Sequence, residues 1–410
     1  MKIYQVGGAV RDKVLGIVSQ DTDYLVVGAT VDEMIEQGFQ SVGKSFPVFL
    51  HPQTKQEYAL ARKEVKTGDK HTDFHFVFDK TISLKEDIQR RDFTINGLVY
   101  DEENDKIIDL VGGLVDIENK IIRHINSVHF VEDPLRVLRM CRFCAQLDFE
   151  IHPTTMALAQ KMVRDKMLIH LTKERVFKEL EKALNTAHFD KFILAMRSCG
   201  ALKEILPEID MLFNIPEKEK YHPEKNSGDH TILSLKCASC YSAELKYAVL
   251  LHDVGKIKTP PAIWPSHYGH DIRGAELIKQ ISNRLKVPTK YKNMALFGCK
   301  HHMMVRNVPK MDLDILYDFV SEISSKFKSK EKIEHLFLIC KADMQGRAIP
   351  LDKKEFDNLE NAKNRCFSFY QKMQSIKAKD MPNFDSLQKN KTFQTEFKRF
   401  CLEKLANEDI

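Results

Sequence analysis

The chain has 410 residues, 43% apolar and 30% charged, with 17 glycines and 14 prolines. This is globular composition rather than that of a disordered or fibrous chain, and at roughly 100–200 residues per domain it predicts two to four domains. The formal charge of +5, from 63 basic and 58 acidic residues, does not by itself indicate a nucleic-acid partner.

No apolar run approaches the ~20 residues of a membrane helix, so no membrane partner is expected. The first residues, Met1-Lys2-Ile3-Tyr4-Gln5-Val6-Gly7-Gly8, read as a strand and a glycine turn without an export signal. Nine cysteines fit the reduced thiols of a cytosolic protein. Cytoplasmic localisation is therefore expected.

In chain order, residues 1 to about 125 alternate short β-branched runs with helical stretches. Strands are predicted at Lys2–Val6, Asp23–Val27, Phe46–Leu50, Glu57–Ala61 and Ile95–Tyr100, and helices at Ala9–Leu15 and Val31–Gln37. From about residue 131 the pattern becomes helical: Asp133 to Gln146, Glu174–Leu184 and Phe192–Ile205 show apolar residues at steps of three and four. Pro207, Pro216 and Pro223 mark a boundary near residue 215. Residues 326–410 hold 18 Lys and Arg against 13 Asp and Glu, a surplus suited to a polyanion or to a solvated helical face. The fold class predicted is α+β: a mixed-sheet unit over 1–125, an all-helical remainder over 126–215 and 216–350, and a helical basic tail over 351–410.

Gly7 and Gly8 follow a strand and open a helix at Ala9-Val10-Arg11-Asp12. Such a turn lets the backbone approach a phosphate and presents helix N–H groups to it. Asp21-Thr22-Asp23 enters the apolar run Tyr24-Leu25-Val26-Val27. On a strand, residues i and i+2 share a face, so both carboxylates converge on one spot that suits Mg²⁺ together with phosphate oxygens. Arg90-Arg91-Asp92-Phe93-Thr94-Ile95-Asn96-Gly97 adds paired guanidiniums for a triphosphate and an amide for a ribose hydroxyl.

These three motifs resemble the signature of polymerase-β-type nucleotidyltransferases, and within them the class II CCA-adding enzymes of bacteria. Asp109-Leu110-Val111-Gly112-Gly113 with Lys120 to His124 is similar to that family's head–neck linker. Glu132-Asp133-Pro134-Leu135-Arg136 is similar to its Glu-Asp-x-x-Arg motif, and Glu174-Arg175-Val176-Phe177 with Glu179-Leu180 to its last neck motif. The resemblance covers about the first 185 residues. It implies a catalytic head over 1–125 and a neck and body over 126–215. Asp21 and Asp23 would be the Mg²⁺-holding catalytic carboxylates, and Gly8, Arg11, Arg91, Asn96, Asp133, Arg136 and Arg139 the binding set for CTP and ATP. tRNA is the implied partner, with a monomer or homodimer as the assembly.

Asp133, Arg136 and Arg139 are expected on one helix face, where an intrahelical ion pair is the plain alternative to a functional role. Cytosine and adenine both present an amino donor beside a ring-nitrogen acceptor, whereas guanine and uracil reverse that pattern. A carboxylate beside a guanidinium matches the first two and leaves the others with unpaired polar groups, at about 1–3 kcal/mol each.

Residues 222–302 carry seven of the sixteen histidines. His252-Asp253 closes an apolar run, His230 precedes it by about one helix, and Asp343 lies in a later segment. Imidazoles and carboxylates in this order suit a transition metal and an activated water. The set resembles the HD phosphohydrolase domain, specifically the HD-bearing multifunctional branch of the CCA-adding enzymes. Over about 228–329, within 216–350, it implies metal-dependent phosphatase and 2′,3′-cyclic phosphodiesterase activity with Ni²⁺. The implied ligands are His230, His252 and Asp253, with Asp343 and His302 as further placements. His267 and His270 also fit the branch, while Met303 stands where its pattern carries an acidic residue. The pairs Cys141/Cys144 and Cys237/Cys240 read as packing, because they are far apart and lack knuckle glycines. The competing readings are a bacterial poly(A) polymerase and an HD phosphohydrolase with an RNA-binding head.

Overall fold

The computed structural model describes residues 1–19, 22–42, 48–66, 74–326, 328–349, 352–382, 384 and 392–406. Asp21 and residues 67–70 of the expected loop Lys66-Thr67-Gly68-Asp69-Lys70 lie outside the described residues. The chain divides into two compact units, Met1–Ala183 with Lys191–Ile205, and Leu184–Asp190 with Leu206–Ile410.

The first unit is built on a seven-stranded mixed sheet. Its strands are β1 (Lys2–Val6), β2 (Asp23–Val27), β3 (Gln40–Ser41), β4 (Val48–Leu50), β5 (Glu57–Leu60), β8 (Val99–Asp101) and β9 (Lys106–Ile108), in the order β3-β4-β5-β2-β1-β8-β9. The strands β6 (Lys63–Lys66) and β7 (Phe74–Val77) form a separate antiparallel pair. The β2–β5 pairing is parallel, with Tyr24 opposite Tyr58 and their rings stacked at 4.5 Å. Strand β2 is apolar on both faces: Tyr24 and Val26 join Met34, Phe39 and Phe49, while Leu25 joins Tyr4, Ile88 and Val99 on the other side. Its continuous apolar run is thereby explained, since both faces are covered.

Four short helices accompany the sheet: α1 (Gly8–Val14), α2 (Val31–Glu36), α3 (Leu84–Gln89) and α4 (Gly113–Glu118). Both α2 and α3 begin with reciprocal capping boxes, Thr30 with Glu33 and Ser83 with Glu86. The first unit continues through α5 (Ser127–Phe130), α6 (Leu135–Leu147), α7 (Pro153–Arg164), α8 (Lys173–Leu184), α9 (Phe189–Cys199) and α10 (Ala201–Ile205). The fold class is α+β.

Three local expectations are corrected. Thr94–Asn96 is a 3-10 turn, and the strand starts only at Val99. The predicted helix over Phe192–Ile205 is interrupted at Gly200, whose φ of 85° lies in the left-handed region. Asp133 precedes α6 rather than riding on it, because the helix begins at Leu135, just after Pro134.

The second unit is helical. It contains α11 (Pro207–Leu212), α12 (Ser227–Cys237), α13 (Ala243–Leu251), α14 (His270–Arg284), α15 (Thr289–His301), α16 (Leu313–Ile323), α17 (Lys330–Gln345) and α18 (Lys353–Ser375), followed by a helix at Phe393–Leu405. Among the described residues, no helix is long and apolar enough to cross a membrane.

Candidate functional sites

In the first unit the sheet delivers Asp23 at the first position of β2, directly opposite Val6, while the chain leaves β1 through Gly7. Gly7 has φ 76°, a conformation that side chains with a Cβ rarely adopt. A Cβ built there would stand 3.8 Å from both Asp23 Oδ2 and Arg91 Nη1. The glycine turn, a carboxylate and a guanidinium thus border one small space, and Asp23 offers it the hard oxygen that Mg²⁺ prefers.

A polar network extends from this turn. Arg11, 3% exposed, donates through Nη1 to Asn96 Oδ1 at 2.8 Å and pairs with Asp12 at 2.7 Å. The Asn96 amide donates to Asp92 Oδ1 at 3.2 Å, and Arg139 Nε donates to Asp92 Oδ2 at 2.7 Å. Glu179 accepts from Arg142 Nε at 2.6 Å and lies 4.0 Å from Arg139. Burial pushes the Asp92 carboxyl up, but Arg139 and Arg136 outweigh it and hold it below its ordinary range. Arg91 is held by Asp87, which is fully buried and also pairs with Arg90.

The intrahelical ion pair between Asp133 and Arg136, the plain alternative to a functional role, is not formed. Asp133 accepts from Arg175 Nη2 at 2.8 Å and from the Leu135 amide at 3.1 Å, whereas Arg136 donates to the carbonyls of His129 and Arg90. Placing Asp133 ahead of the helix turns its carboxylate toward Arg175. Asp92 and Glu179 both stand in the motifs quoted above, but no spacing rule assigns them to Arg139, 47 and 40 positions away. Asp109, in the motif that resembles a linker, accepts from the amides of Val111, Gly112, Gly113 and Leu114 and so caps α4.

In the second unit His230, His252, Asp253 and Asp343 do come together, joined by His270 and His302. His230 Nε2 lies 3.0 Å from Asp343 Oδ1, and His252 Nε2 lies 3.3 Å from Asp253 Oδ2. His270 and His302 place their Nε2 atoms 3.2 and 3.6 Å from Asp253 Oδ1. All six residues are buried.

The helix ends aim the rings. His252 and His302 are the C-caps of α13 and α15, and His270 opens α14. Their Nδ1 atoms bond the carbonyls of Val249, Cys299 and His267, each three residues earlier, at 2.7, 2.9 and 2.8 Å. A carbonyl only accepts, so these Nδ1 atoms carry protons and each ring turns its Nε2 toward the cluster. His252 Nε2 is buried without a hydrogen-bond partner, an orphan that a metal ion would satisfy.

Burial opposes charge on Asp253 and Asp343, yet the imidazoles around them, with Lys256 beside Asp253, hold both carboxyls well below their ordinary range. Burial also pulls His230 down, but Asp343 and Glu224 raise it to about 9. Lys256 spans Asp253 and Glu217 with 2.6 Å contacts to each. A cavity of about 750 Å³, lined among others by Asp253, Lys256, His270, His302, Asp343 and Arg347, opens at this cluster. His267 turns elsewhere, bonding Thr259 and the Pro216 carbonyl. Met303 is exposed beside the cavity. His270 was legible only as a residue that fitted the branch. Lys256, Glu217 and Glu224 were missed, because nothing local distinguishes them from surface charges. Among the described residues, none of the cysteines belongs to a metal-competent cluster.

Residues 3–123 match the family model described as the poly A polymerase head domain, residues 148–212 the "Probable RNA and SrmB- binding site of polymerase A", and residues 228–344 the HD domain. A multifunctional CCA protein of Acinetobacter baumannii (strain ATCC 17978) is 43% identical over 387 residues, 93% of this chain and 92% of that protein. Another, from Teredinibacter turnerae, is 44% identical and covers 85% of both. Among solved structures, the Bacillus stearothermophilus CCA-adding enzyme in complex with CTP superposes with a TM-score of 0.64 at 20% identity, over 99% of this chain and 90% of that one. A tRNA nucleotidyltransferase complexed with a primer tRNA and an ATP analogue gives 0.59 at 21%, over 90% and 96%. These two likenesses establish the fold. The near full-length identity to the Acinetobacter and Teredinibacter proteins establishes the family: the chain belongs to the multifunctional CCA proteins, a family of nucleotidyltransferases that carry an HD domain.

Proposed function

We propose that the protein adds and repairs the 3′-terminal CCA of tRNA from CTP and ATP without a nucleic-acid template, and that its HD unit is a metal-dependent phosphatase and 2′,3′-cyclic phosphodiesterase. In this reading residues 1–125 carry catalysis, 126–215 base selection and tRNA binding, 216–350 phosphohydrolysis and 351–410 a basic tail. The observation that carries it is the convergence of Asp23, Arg91 and the Gly7 turn on one space, with Arg11 and Asn96 locked together beside it.

Mg²⁺, bound through Asp21 and Asp23, would lower the pKa of the tRNA 3′-hydroxyl and offset charge on the departing pyrophosphate. Gly8 lets the backbone approach the triphosphate, Arg11 and Arg91 neutralise it, and Asn96 meets the ribose. Asp133 accepts the amino proton of cytosine or adenine, held in orientation by Arg175. Arg136 donates to the ring nitrogen, and Arg139 backs the pocket through its bond to Asp92. In the HD unit, His230, His252, Asp253 and Asp343 would hold a transition metal, Ni²⁺ by preference.

The test is incorporation on tRNA lacking its last three residues, with each NTP supplied alone and in pairs. CMP and then AMP addition is expected, and Asp23→Ala should abolish both. Untemplated A-tailing of arbitrary RNA would overturn the proposal in favour of a poly(A) polymerase. Hydrolysis of 2′,3′-cAMP should disappear in His252→Ala while CCA addition persists.

A further inference from the structure

Asp87, on α3, is 0% exposed. Arg90 and Arg91 follow it at steps of three and four, which bring side chains to one helix face. The two carboxylate oxygens are divided between them. Oδ1 accepts from Arg90 through Nε at 3.0 Å and Nη2, and from the Arg62 amide at 3.3 Å. Oδ2 accepts from Arg91, through Nε at 3.2 Å and Nη2 at 3.1 Å.

Holding Nε and Nη2 fixes the plane of the Arg91 guanidinium and therefore the heading of its third nitrogen. That nitrogen, Nη1, borders the Gly7 turn: a Cβ built on Gly7 would stand 3.8 Å from Arg91 Nη1 and 3.8 Å from Asp23 Oδ2. A long, flexible cationic side chain beside Asp23 would otherwise be drawn onto that carboxylate. Asp87 holds it back with two charge-assisted bonds. The backbone is pinned as well, since the Arg91 amide bonds the Ile88 carbonyl at 3.1 Å and the Arg90 carbonyl accepts from Arg136 Nη2 at 2.6 Å. Burial pushes the Asp87 carboxyl up, but Arg90 and Arg91 outweigh it and hold it below its ordinary range. One carboxylate does not cancel two guanidiniums, so the group keeps a net positive charge beside the turn, the sign that attracts a triphosphate.

We propose that Asp87 is a positioning residue for nucleotide binding: its Oδ2 aims Arg91 Nη1 into the space between the Gly7 turn and Asp23 and keeps it off the Asp23 carboxylate. An incoming NTP then meets a guanidinium that needs no further ordering. This rests on the triphosphate role given to Arg91 above.

The test measures equilibrium binding of CTP and of CMP to the full chain by isothermal titration calorimetry in EDTA, so that no metal contributes. CMP carries the same base and ribose without the outer two phosphates, and the ratio of the two affinities reads the triphosphate contacts. The parent should prefer CTP. Asp87→Asn keeps the shape but offers one oxygen only; with Arg90 and the Arg62 amide on one side, its NH₂ group meets Arg91 donor to donor. The preference for CTP should fall about tenfold or more, while CMP affinity stays within about twofold of the parent. In an Arg91→Ala background the same replacement should lower the preference no further. Ile88→Val loosens the adjacent buried position of α3 without altering the Arg91 acceptor and should leave the preference as it is. Asp87→Glu, which carries the charge one methylene farther and misdirects Nη1, serves should the amide variant lose its far-UV circular dichroism, with the same fall expected. An undiminished preference in Asp87→Asn or in its Asp87→Glu substitute, an equal fall in Ile88→Val, or a further fall on top of Arg91→Ala would overturn the positioning role and leave that of Arg91 standing. A parent chain that binds CTP no more tightly than CMP would instead overturn the triphosphate role of Arg91 itself.

Discussion

Replacing Glu179 by alanine tests whether buried charge organises the first unit. Its carboxylate is 5% exposed, accepts from Arg142 Nε at 2.6 Å and approaches Arg139 at 4.0 Å. Arg142 is itself 7% exposed and retains the Gln146 amide oxygen at 2.6 Å and the face of Phe143 at 4.0 Å. Neither carries the opposing charge. Burial already pulls the Arg142 guanidinium down from its usual value, with Glu179 opposing that effect. Removing one member of a buried pair costs about 3–5 kcal/mol, and with Gln146 still bonded the lower end applies. About 3 kcal/mol at a urea slope of ~2 kcal/mol/M moves the midpoint by about 1.5 M. Far-UV circular dichroism reads this shift. The chain's only tryptophan, Trp264, lies in the second unit, and its fluorescence transition should stay in place. Replacing both partners by apolar residues, Glu179→Leu with Arg142→Met, should recover most of the loss. A single-variant shift below about 0.3 M, or a double variant no more stable than the single one, would refute the reasoning.

Asp109→Ala removes the acceptor for four amides at the start of α4 and should cost about 1–2 kcal/mol, read as a lower urea midpoint. Burial pushes the Asp109 carboxyl up, but those four N–H groups lower it further than burial raises it. Its stabilisation is therefore complete above the ordinary carboxylate range and is lost on acidification; the difference in Tm between the parent and Asp109→Asn should shrink from about pH 6 to about pH 3. Gly255→Ala would drive a Cβ to 1.8 Å from the His270 carbonyl oxygen and 2.5 Å from the Gly274 nitrogen. A cost of about 3 kcal/mol is expected, read as an earlier unfolding transition in Trp264 fluorescence. Arg175→Met should free the Asp133 carboxylate and reduce discrimination of CTP and ATP against GTP by roughly tenfold or more, measured as a ratio of kcat/KM values.

Strong local patterns were readable from the sequence. Strands β1 and β2 fall where Lys2–Val6 and Asp23–Val27 were expected, because short apolar runs beside glycine turns leave few alternatives. The segment after Arg91 misled because Thr94, Ile95 and Val99 share β-forming character. The Gly97 amide nevertheless bonds the Thr94 carbonyl at 3.0 Å, and the Asn96 side chain reaches back to Asp92, so the backbone turns before it extends. Asp133 was misplaced for a related reason: periodicity continues through Pro134, whereas the helix starts after it. His230, His252 and Asp343 are brought together only by the packing of α12, α13 and α17. Their order in the chain suggested the cluster, but the approach of His270 and His302 to Asp253 Oδ1 is a matter of tertiary distance.

The ring latches at the helix ends tie folding to site assembly. Each of His252 and His302 consumes a carbonyl that its own helix leaves free in the last turn, so the bond that finishes the helix also selects the ring's tautomer and heading. Much of the site's preparation thus rests on bonds that span three residues of local chain, and an incoming ligand has little imidazole rotation left to arrest. Exchanging either histidine for a residue of similar bulk but no ring nitrogen unfastens a helix terminus and blinds the pocket in the same stroke.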